Sequence, residues 1–319
     1  MATVEAPAVA IEARGLGRDF GAFKAVREVD LDVRRGEVFG LLGANGAGKT
    51  TAIRMLCGTL PPSRGSVTVA GVDMIRHARR ARSRIGYVTQ RFTLYGDLTV
   101  RENLLLQAGL YDVRGARLAR RLDWALARLA LADSAADRAG HLPLGYQRRL
   151  AVAAALLHEP DVLFLDEPTS GIDPLARQHL WELVYELAAS GVGVLVTTHY
   201  MDEALFCDRL ALMDRGRVVA NGTPEELLAR PLASPPLELR GGDNGWAAML
   251  AVAPQVREVL PRAGRLRVRL QPGIEPEGWA AAVRAEAAQR GLSVAINLRA
   301  AAELEDVFVD LVEAREAQS

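Results

Sequence analysis

Cysteine is nearly absent from this sequence: Cys57 and Cys207 are the only two in 319 residues, and their separation matches no metal-ligand spacing. They offer no disulfide framework, and both are expected as reduced thiols in the core of a protein from a reducing compartment. Net charge is absent as well, since Lys+Arg and Asp+Glu each number 39. That balance supplies no bulk pull toward nucleic acid or anionic membranes, so no nucleic-acid partner is expected. Arginines do gather between Arg76 and Arg84, as either a solvated helix face or a local partner site. Long apolar runs are missing too. The longest strongly apolar stretch, Leu150 to Leu157, is far too short to span a bilayer. The N-terminal residues show no charged-then-apolar secretion pattern. A cytoplasmic chain is therefore expected, with any membrane role coming through a partner subunit.

Apolar residues make up half of the sequence, enough for a substantial core, and the length suggests about two domains. Val38-Phe39-Gly40-Leu41-Leu42 reads as a buried strand, and Thr51 to Leu56 as the first turns of a helix. Between them, Gly43-Ala44-Asn45-Gly46-Ala47-Gly48-Lys49-Thr50 fits G-x-x-x-x-G-K-[ST], the phosphate-binding loop. Glycines there let backbone N–H groups close around a polyphosphate where side chains would block the approach. The helix start, with Thr50 and Thr51, adds unpaired amides and the positive end of the helix dipole. Lys49 supplies a point charge for the outer phosphates, and Thr50 a hydroxyl ligand for Mg²⁺.

Val162-Leu163-Phe164-Leu165-Asp166-Glu167 describes a fully buried parallel strand with two carboxylates at its carboxyl end. Ligands of open α/β sheets sit at that end. Adjacent carboxylates repel, so the pair fits a place where a cation and a water need them. Asp166 is expected to hold Mg²⁺, and Glu167 to orient or deprotonate the attacking water. Pro174 opens a helix running to about Ala189, and Val192 to Thr198 forms the next strand, with His199 just past its end. His199 is either structural or a contact to the outer phosphate. Gln90 follows the short strand Ile85–Val88 and is either an ordinary loop residue or a metal ligand through its amide oxygen. Phe20 and Phe23 flank a turn upstream, as core residues or as a surface for a nucleotide base. Residues from Thr99 to about Asp133 read as helical, and a further helix is expected from Leu150 to His158 behind Pro143.

Together these elements resemble the ATP-binding cassette (ABC) ATPases over roughly residues 10–228. The phosphate loop, Gln90, Asp166-Glu167, Ser170-Gly171-Ile172-Asp173 and His199 match that family's Walker A, Q-loop, Walker B, D-loop and switch histidine, in the family's order. The resemblance implies an α/β P-loop fold: a RecA-like core with an antiparallel β subdomain and a helical subdomain. It makes Phe20 the adenine-stacking aromatic, Glu167 the catalytic base and His199 the γ-phosphate sensor, with ATP and Mg²⁺ as ligands. Leu142, Gly145 and Asp173 join the nucleotide-binding set by the same resemblance. One element departs. Where the family usually carries Leu-Ser-Gly-Gly-Gln, this chain reads Leu142-Pro143-Leu144-Gly145-Tyr146, which removes a hydroxyl and a glycine. The intact Lys49, Glu167 and His199 favour a working site over a degenerate one. The Leu-Pro-Leu-Gly form itself looks like one branch of bacterial exporter ATPases.

In this family each ATP lies between one chain's Walker A and another's signature, the segment that Leu142 to Tyr146 occupies here at the head of the following helix. One copy therefore cannot complete a site, and a second cassette, identical or paralogous, is expected. Past a linker at 229–236, strands at Leu237-Leu239, Leu266-Val268-Leu270 and Val294-Ile296-Leu298 alternate with helices, suggesting a small α+β domain over 237–316, of ferredoxin-like type. Leu304-Glu305-Asp306-Val307-Phe308 resembles the closing motif of many exporter ATPases. The implied function is the ATPase subunit of an exporter, peripheral on the inner membrane face through transmembrane permease subunits. Phe92, Leu94 and Tyr95 are candidate permease contacts. A ribosome- or DNA-associated ATPase fits less well: the chain has neither a second cassette with a basic linker nor long coiled coils. A regulatory cassette with an impaired ATP site is the other alternative.

Overall fold

The computed structural model describes residues 8–241, 244–262 and 264–316, and the chain divides into two compact units at Pro224/Glu225. The first unit opens with the hairpin β1 (Val9–Phe20) and β2 (Phe23–Arg34), followed by β3 (Val38–Leu42) and α1 (Lys49–Leu56). Next come β4 (Arg64–Val69), β5 (Val72–Asp73), α2 (Ala78–Arg82) and β6 (Ile85–Val88). A helical stretch follows: α3 (Val100–Leu110), α4 (Gly115–Arg128) and α5 (Leu144–Leu156). The chain then returns through β7 (Val162–Asp166), α6 (Pro174–Ala189), β8 (Gly193–Thr198), α7 (Met201–Ala204), β9 (Arg209–Asp214) and β10 (Arg217–Gly222), and α8 (Pro224–Leu228) spans the division between the units.

The sheet runs β5-β4-β1-β2-β10-β9-β3-β8-β7-β6. Its β9-β3-β8-β7-β6 half is parallel, while β1 pairs antiparallel with β2 and β4. The parallel strands are apolar on both faces because two cores claim alternate residues. In β7, Leu163 and Leu165 face the core packed by α3 to α6. Val162 and Phe164 face the core shared with α1 and the antiparallel strands. That is the period-2 geometry of a strand read from both sides. In the half-covered β2, Val29, Leu31 and Val33 are buried and Asp30 is exposed, as their alternation predicts.

Two helical expectations change. The stretch from Thr99 is not continuous: Asp112 takes φ +56°, a left-handed conformation that ends one helix before the next begins. The helix expected from Leu150 begins six residues earlier, at Leu144, with Pro143 as its N-cap. Proline's fixed φ suits that place, but it provides no side-chain cap bond.

The second unit contains β11 (Pro236–Gly241), α9 (Asn244–Ala251), β12 (Val256–Arg262), β13 (Arg265–Leu270), α10 (Pro276–Gln289), β14 (Val294–Asn297) and α11 (Leu304–Glu316). Its sheet, ordered β12-β13-β11-β14 and antiparallel throughout, gives the βαββαβ ferredoxin-like arrangement with one helix added. Strand β12 has no clean alternation and was not legible in the sequence. In β13, Val268 and Leu270 join the core of Trp246 and Trp279. Arg267 and Arg269, which alternate with them, are also buried, paired with Asp306 and Asp310 of α11.

Candidate active site

The phosphate loop leaves buried β3 and enters α1, as the pattern predicts. Gly43, Gly46 and Gly48 have φ of +159°, +82° and +105°. A side chain on Gly43 would place its Cβ 2.1 Å from the Met213 carbonyl oxygen, and one on Gly48 would come within 2.7 Å of the Ala25 carbonyl. Two of the glycines are thus required by neighbouring backbone, and the third only by its own conformation. Lys49 is buried; its ammonium donates to the carbonyls of Gly43 at 2.7 Å and Ala44 at 3.2 Å. Burial lowers its pKa, while the carboxylates of Glu167 and Asp166 oppose that shift.

At the carboxyl end of β7, Asp166 Oδ1 accepts from Thr197 Oγ1 at 2.6 Å and from Thr50 Oγ1 at 3.3 Å. Burial raises the Asp166 pKa, and the Glu167 charge adds to the rise, against the two hydroxyl bonds and Lys49. Three predicted residues meet at Glu167. Gln90 Nε2 donates to Glu167 Oε2 at 2.8 Å, His199 Nδ1 lies 3.4 Å from the same oxygen, and Lys49 Nζ is 3.9 Å from Oε1. Glu167 itself adopts φ +48°, a left-handed backbone unusual for a glutamate. Its N–H donates to the carbonyl and the hydroxyl of Thr197, each at 3.1 Å, which holds that conformation.

Thr50 and Asp166 therefore present neighbouring hard oxygen donors, the chemistry that Mg²⁺ prefers. Among the described residues no group of three or more His, Cys, Asp or Glu could hold a metal alone. Gln90 is drawn to Glu167 through its amide nitrogen. Leu142 and Gly145 lie at the start of α5, where a Cβ on Gly145 would sit 3.9 Å from Asp173 Oδ2. Asp173 caps α6 through Ala176 N–H at 2.9 Å, and that backbone bond lowers its pKa. Leu144 packs over Gly171: a Cβ there would meet Leu144 Cδ2 at 3.0 Å. Phe20 is half exposed at the tip of the β1–β2 hairpin, with the Arg18 guanidinium 4.6 Å from its ring centroid. Thr51 continues the first turn of α1.

Sequence reasoning missed Arg148. From α5 its buried guanidinium donates to the carbonyls of Thr89 at 2.7 Å, Gln90 at 3.0 Å and Glu167 at 3.3 Å. It ties the signature helix to the backbone of both loops that bring Gln90 and Glu167 together. Burial lowers its pKa, against the pull of Asp166 and Glu167. A basic pair after a glycine at a helix start was visible, but its targets were not.

Residues 26–170 match the family described as ABC transporter. The probable multidrug ABC transporter ATP-binding protein YbhF of Escherichia coli (strain K12) is 47% identical over 220 residues, 69% of this chain. The chain spans only 38% of the length of that relative. The Nod factor export ATP-binding protein I of Ralstonia nicotianae is 37% identical over 306 residues, covering 96% of this chain and 94% of its own length. Among solved structures, one described as the ATP-binding subunit of an ABC transporter superposes with a TM-score of 0.65 at 32% identity, over 68% of this chain and 91% of that one. A dimeric cassette in a post-hydrolysis state with ADP and Pi gives 0.62 at 25% identity, over 67% of this chain and 98% of that one. With fold, site and a relative of matching length in agreement, this chain belongs to the ABC transporter ATP-binding proteins.

Proposed function

We propose that this chain is the ATP-hydrolysing subunit of an exporter, working as a cassette dimer that drives a separate membrane permease. The observation that carries the reading is the convergence of Gln90, His199 and Lys49 on the Glu167 carboxylate. A carboxylate held by an amide, an imidazole and an ammonium is oriented, and it can align a water and accept its proton. Lys49 and the loop amides bind the outer phosphates, and Phe20 offers a face to the adenine. Thr50 and Asp166, with Gln90 through its amide oxygen, are the residues to hold Mg²⁺. When bound, that ion neutralises developing phosphate charge. His199, beside Glu167 in the loop after β8, would contact the γ-phosphate and sense its presence.

The start of α5 supports the dimer. The N–H groups of Tyr146 and Gln147 turn back to the Pro143 carbonyl, so the amides of Leu144 and Gly145 form the terminus offered to a second chain's nucleotide. Glycine backbone and helix dipole there replace the missing hydroxyl. Solved cassettes of this fold include dimers, in keeping with that arrangement. Among the described residues no helix is long and apolar enough to cross a membrane, so coupling falls to a partner. Tyr95, exposed on the loop past Gln90, is the foremost contact of the three candidates, since Phe92 and Leu94 pack against the helical core. The relatives named for multidrug and Nod factor export support the exporter direction.

The test is Glu167→Gln in the assembled complex. Loss of ATP turnover by about a hundredfold or more, with nucleotide binding retained, is expected. Unchanged turnover would overturn the assignment, and a tagged chain that brings down ribosomes or DNA without a membrane protein would overturn the exporter reading.

A further inference from the structure

The proposed reaction needs Glu167 and His199 in one register, yet they sit on separate loops, after β7 and after β8. Behind both loops lies Glu203, in the short helix α7 and 1% exposed. Its Oε1 accepts from Thr169 Oγ1 at 2.5 Å, and its Oε2 from Thr198 Oγ1 at 2.6 Å. Thr169 follows Glu167 by two residues, and Thr198 immediately precedes His199. Arg177 of α6 pairs with Oε1 at 3.2 Å, so the buried charge is compensated. Thr198 Oγ1 in turn accepts the N–H of Tyr200, which fixes the backbone on the far side of His199. Each oxygen of one carboxylate thus holds one catalytic loop.

We propose that Glu203 is a positioning residue that clamps the Glu167 and His199 loops to each other, so that the two groups reach one phosphate together. The proposal rests on the ATP-hydrolysis reading given above. Three features make it more than a satisfied buried charge. The left-handed φ of +48° at Glu167 is a conformation that a free loop abandons, and Thr169 anchors the loop just beyond it. The ring of His199 lies 4.1 Å, centroid to centroid, from Tyr200, whose backbone the same network holds. Both donors are threonine hydroxyls, so each link can be cut by an isosteric change that leaves the charge and Arg177 in place.

The experiment uses the full chain with its permease and measures steady-state ATP turnover, affinity for the fluorescent probe mant-ATP, and thermal stability. In Glu203→Gln and in Thr169→Val, kcat should fall about ten- to a hundredfold, because small displacements of oriented groups cost that much. Affinity for mant-ATP should stay within about twofold, since ground-state binding belongs to other residues. Thr169→Ser, which restores the hydroxyl, should recover most of the rate. The double variant Glu203→Gln with Thr169→Val should lose less than the product of the two single losses, because both changes act on the Glu203–Thr169 bond. If stability falls in both variants while kcat holds, or if Thr169→Ser is as slow as Thr169→Val, Glu203 is structural only and the proposal is wrong. A wild-type complex that binds mant-ATP without turning ATP over overturns the hydrolysis reading, and this proposal with it; the wild-type arm separates that failure from the others.

Discussion

The guanidinium of Arg148 donates to the backbone carbonyl of Gln90 at 3.0 Å, while the Gln90 side chain donates to Glu167 at 2.8 Å. One arginine on the signature helix therefore sets the backbone from which the glutamine reaches the catalytic carboxylate. Arg148→Met should strand three carbonyl acceptors and lower the stability of the first unit by about 2–4 kcal/mol. Arg148→Lys, a point charge without the planar fork, should rescue less than half of that. Thermal melts give the first quantity. ATP turnover over a range of nucleotide concentrations should in addition show a drop in kcat exceeding the change in KM.

The three loop glycines should respond unequally to alanine. At Gly43 and Gly48 the new Cβ meets backbone oxygens at 2.1 Å and 2.7 Å, so nucleotide binding should be lost. At Gly46 nothing lies within 4 Å, and only the positive φ is opposed. Gly46→Ala should therefore cost about 1–2 kcal/mol of stability and keep nucleotide affinity within about tenfold. Titration with mant-ATP distinguishes the cases.

Pro143 starts α5 without a side-chain cap. Pro143→Ser should supply one, adding about 1 kcal/mol to stability. The hydroxyl also faces a second chain's nucleotide in the proposed dimer, so turnover should rise by about tenfold, the equivalent of about 1.4 kcal/mol in the barrier. Steady-state kinetics of the variant complex decides this; an unchanged rate would mean that the amides of Leu144 and Gly145 suffice.

His158 gives the first unit a pH dependence. Its ring stacks on Tyr111 with centroids 3.7 Å apart, Nε2 bonds to the Ile85 carbonyl at 3.0 Å, and burial pushes its pKa from 6.5 down to about 4. The folded state thus refuses a proton that the unfolded chain accepts. Stability is fully present above pH 6.5, falls as pH drops toward 4, and loses nothing more from this group below that. The loss is of the order of 3 kcal/mol. Urea titrations at a series of pH values should show this slope, and His158→Gln should flatten it in that window while the carboxylate contribution at lower pH persists.

Much of the parallel core could be read from the sequence because its strands are short apolar runs with their chemistry at one end. Val162 to Glu167 and Gly43 to Thr50 needed no neighbour to be recognised. Strand β12 escaped because Val256 to Arg262 carries no strict alternation. Leu266, Val268 and Leu270 mark a strand by their alternation, but the burial of Arg267 and Arg269 is explained only by the acidic residues of α11. The start of α5 lies six residues before the expected Leu150, because the polar residues Gln147-Arg148-Arg149 interrupt the apolar pattern that marks the helix.

The sequence by itself determined the phosphate loop, the carboxylate pair, and the order of Gln90, Asp166, Glu167 and His199, because each lies where a local apolar pattern ends. Tertiary structure alone decided which of them meet. Gln90 and Glu167 are 77 residues apart, Thr169 and Glu203 are 34 apart, and Arg148 reaches 59 residues back to Thr89. Such bonds depend on the register of the parallel strands and on helices laid across them, and neither is encoded within any one segment.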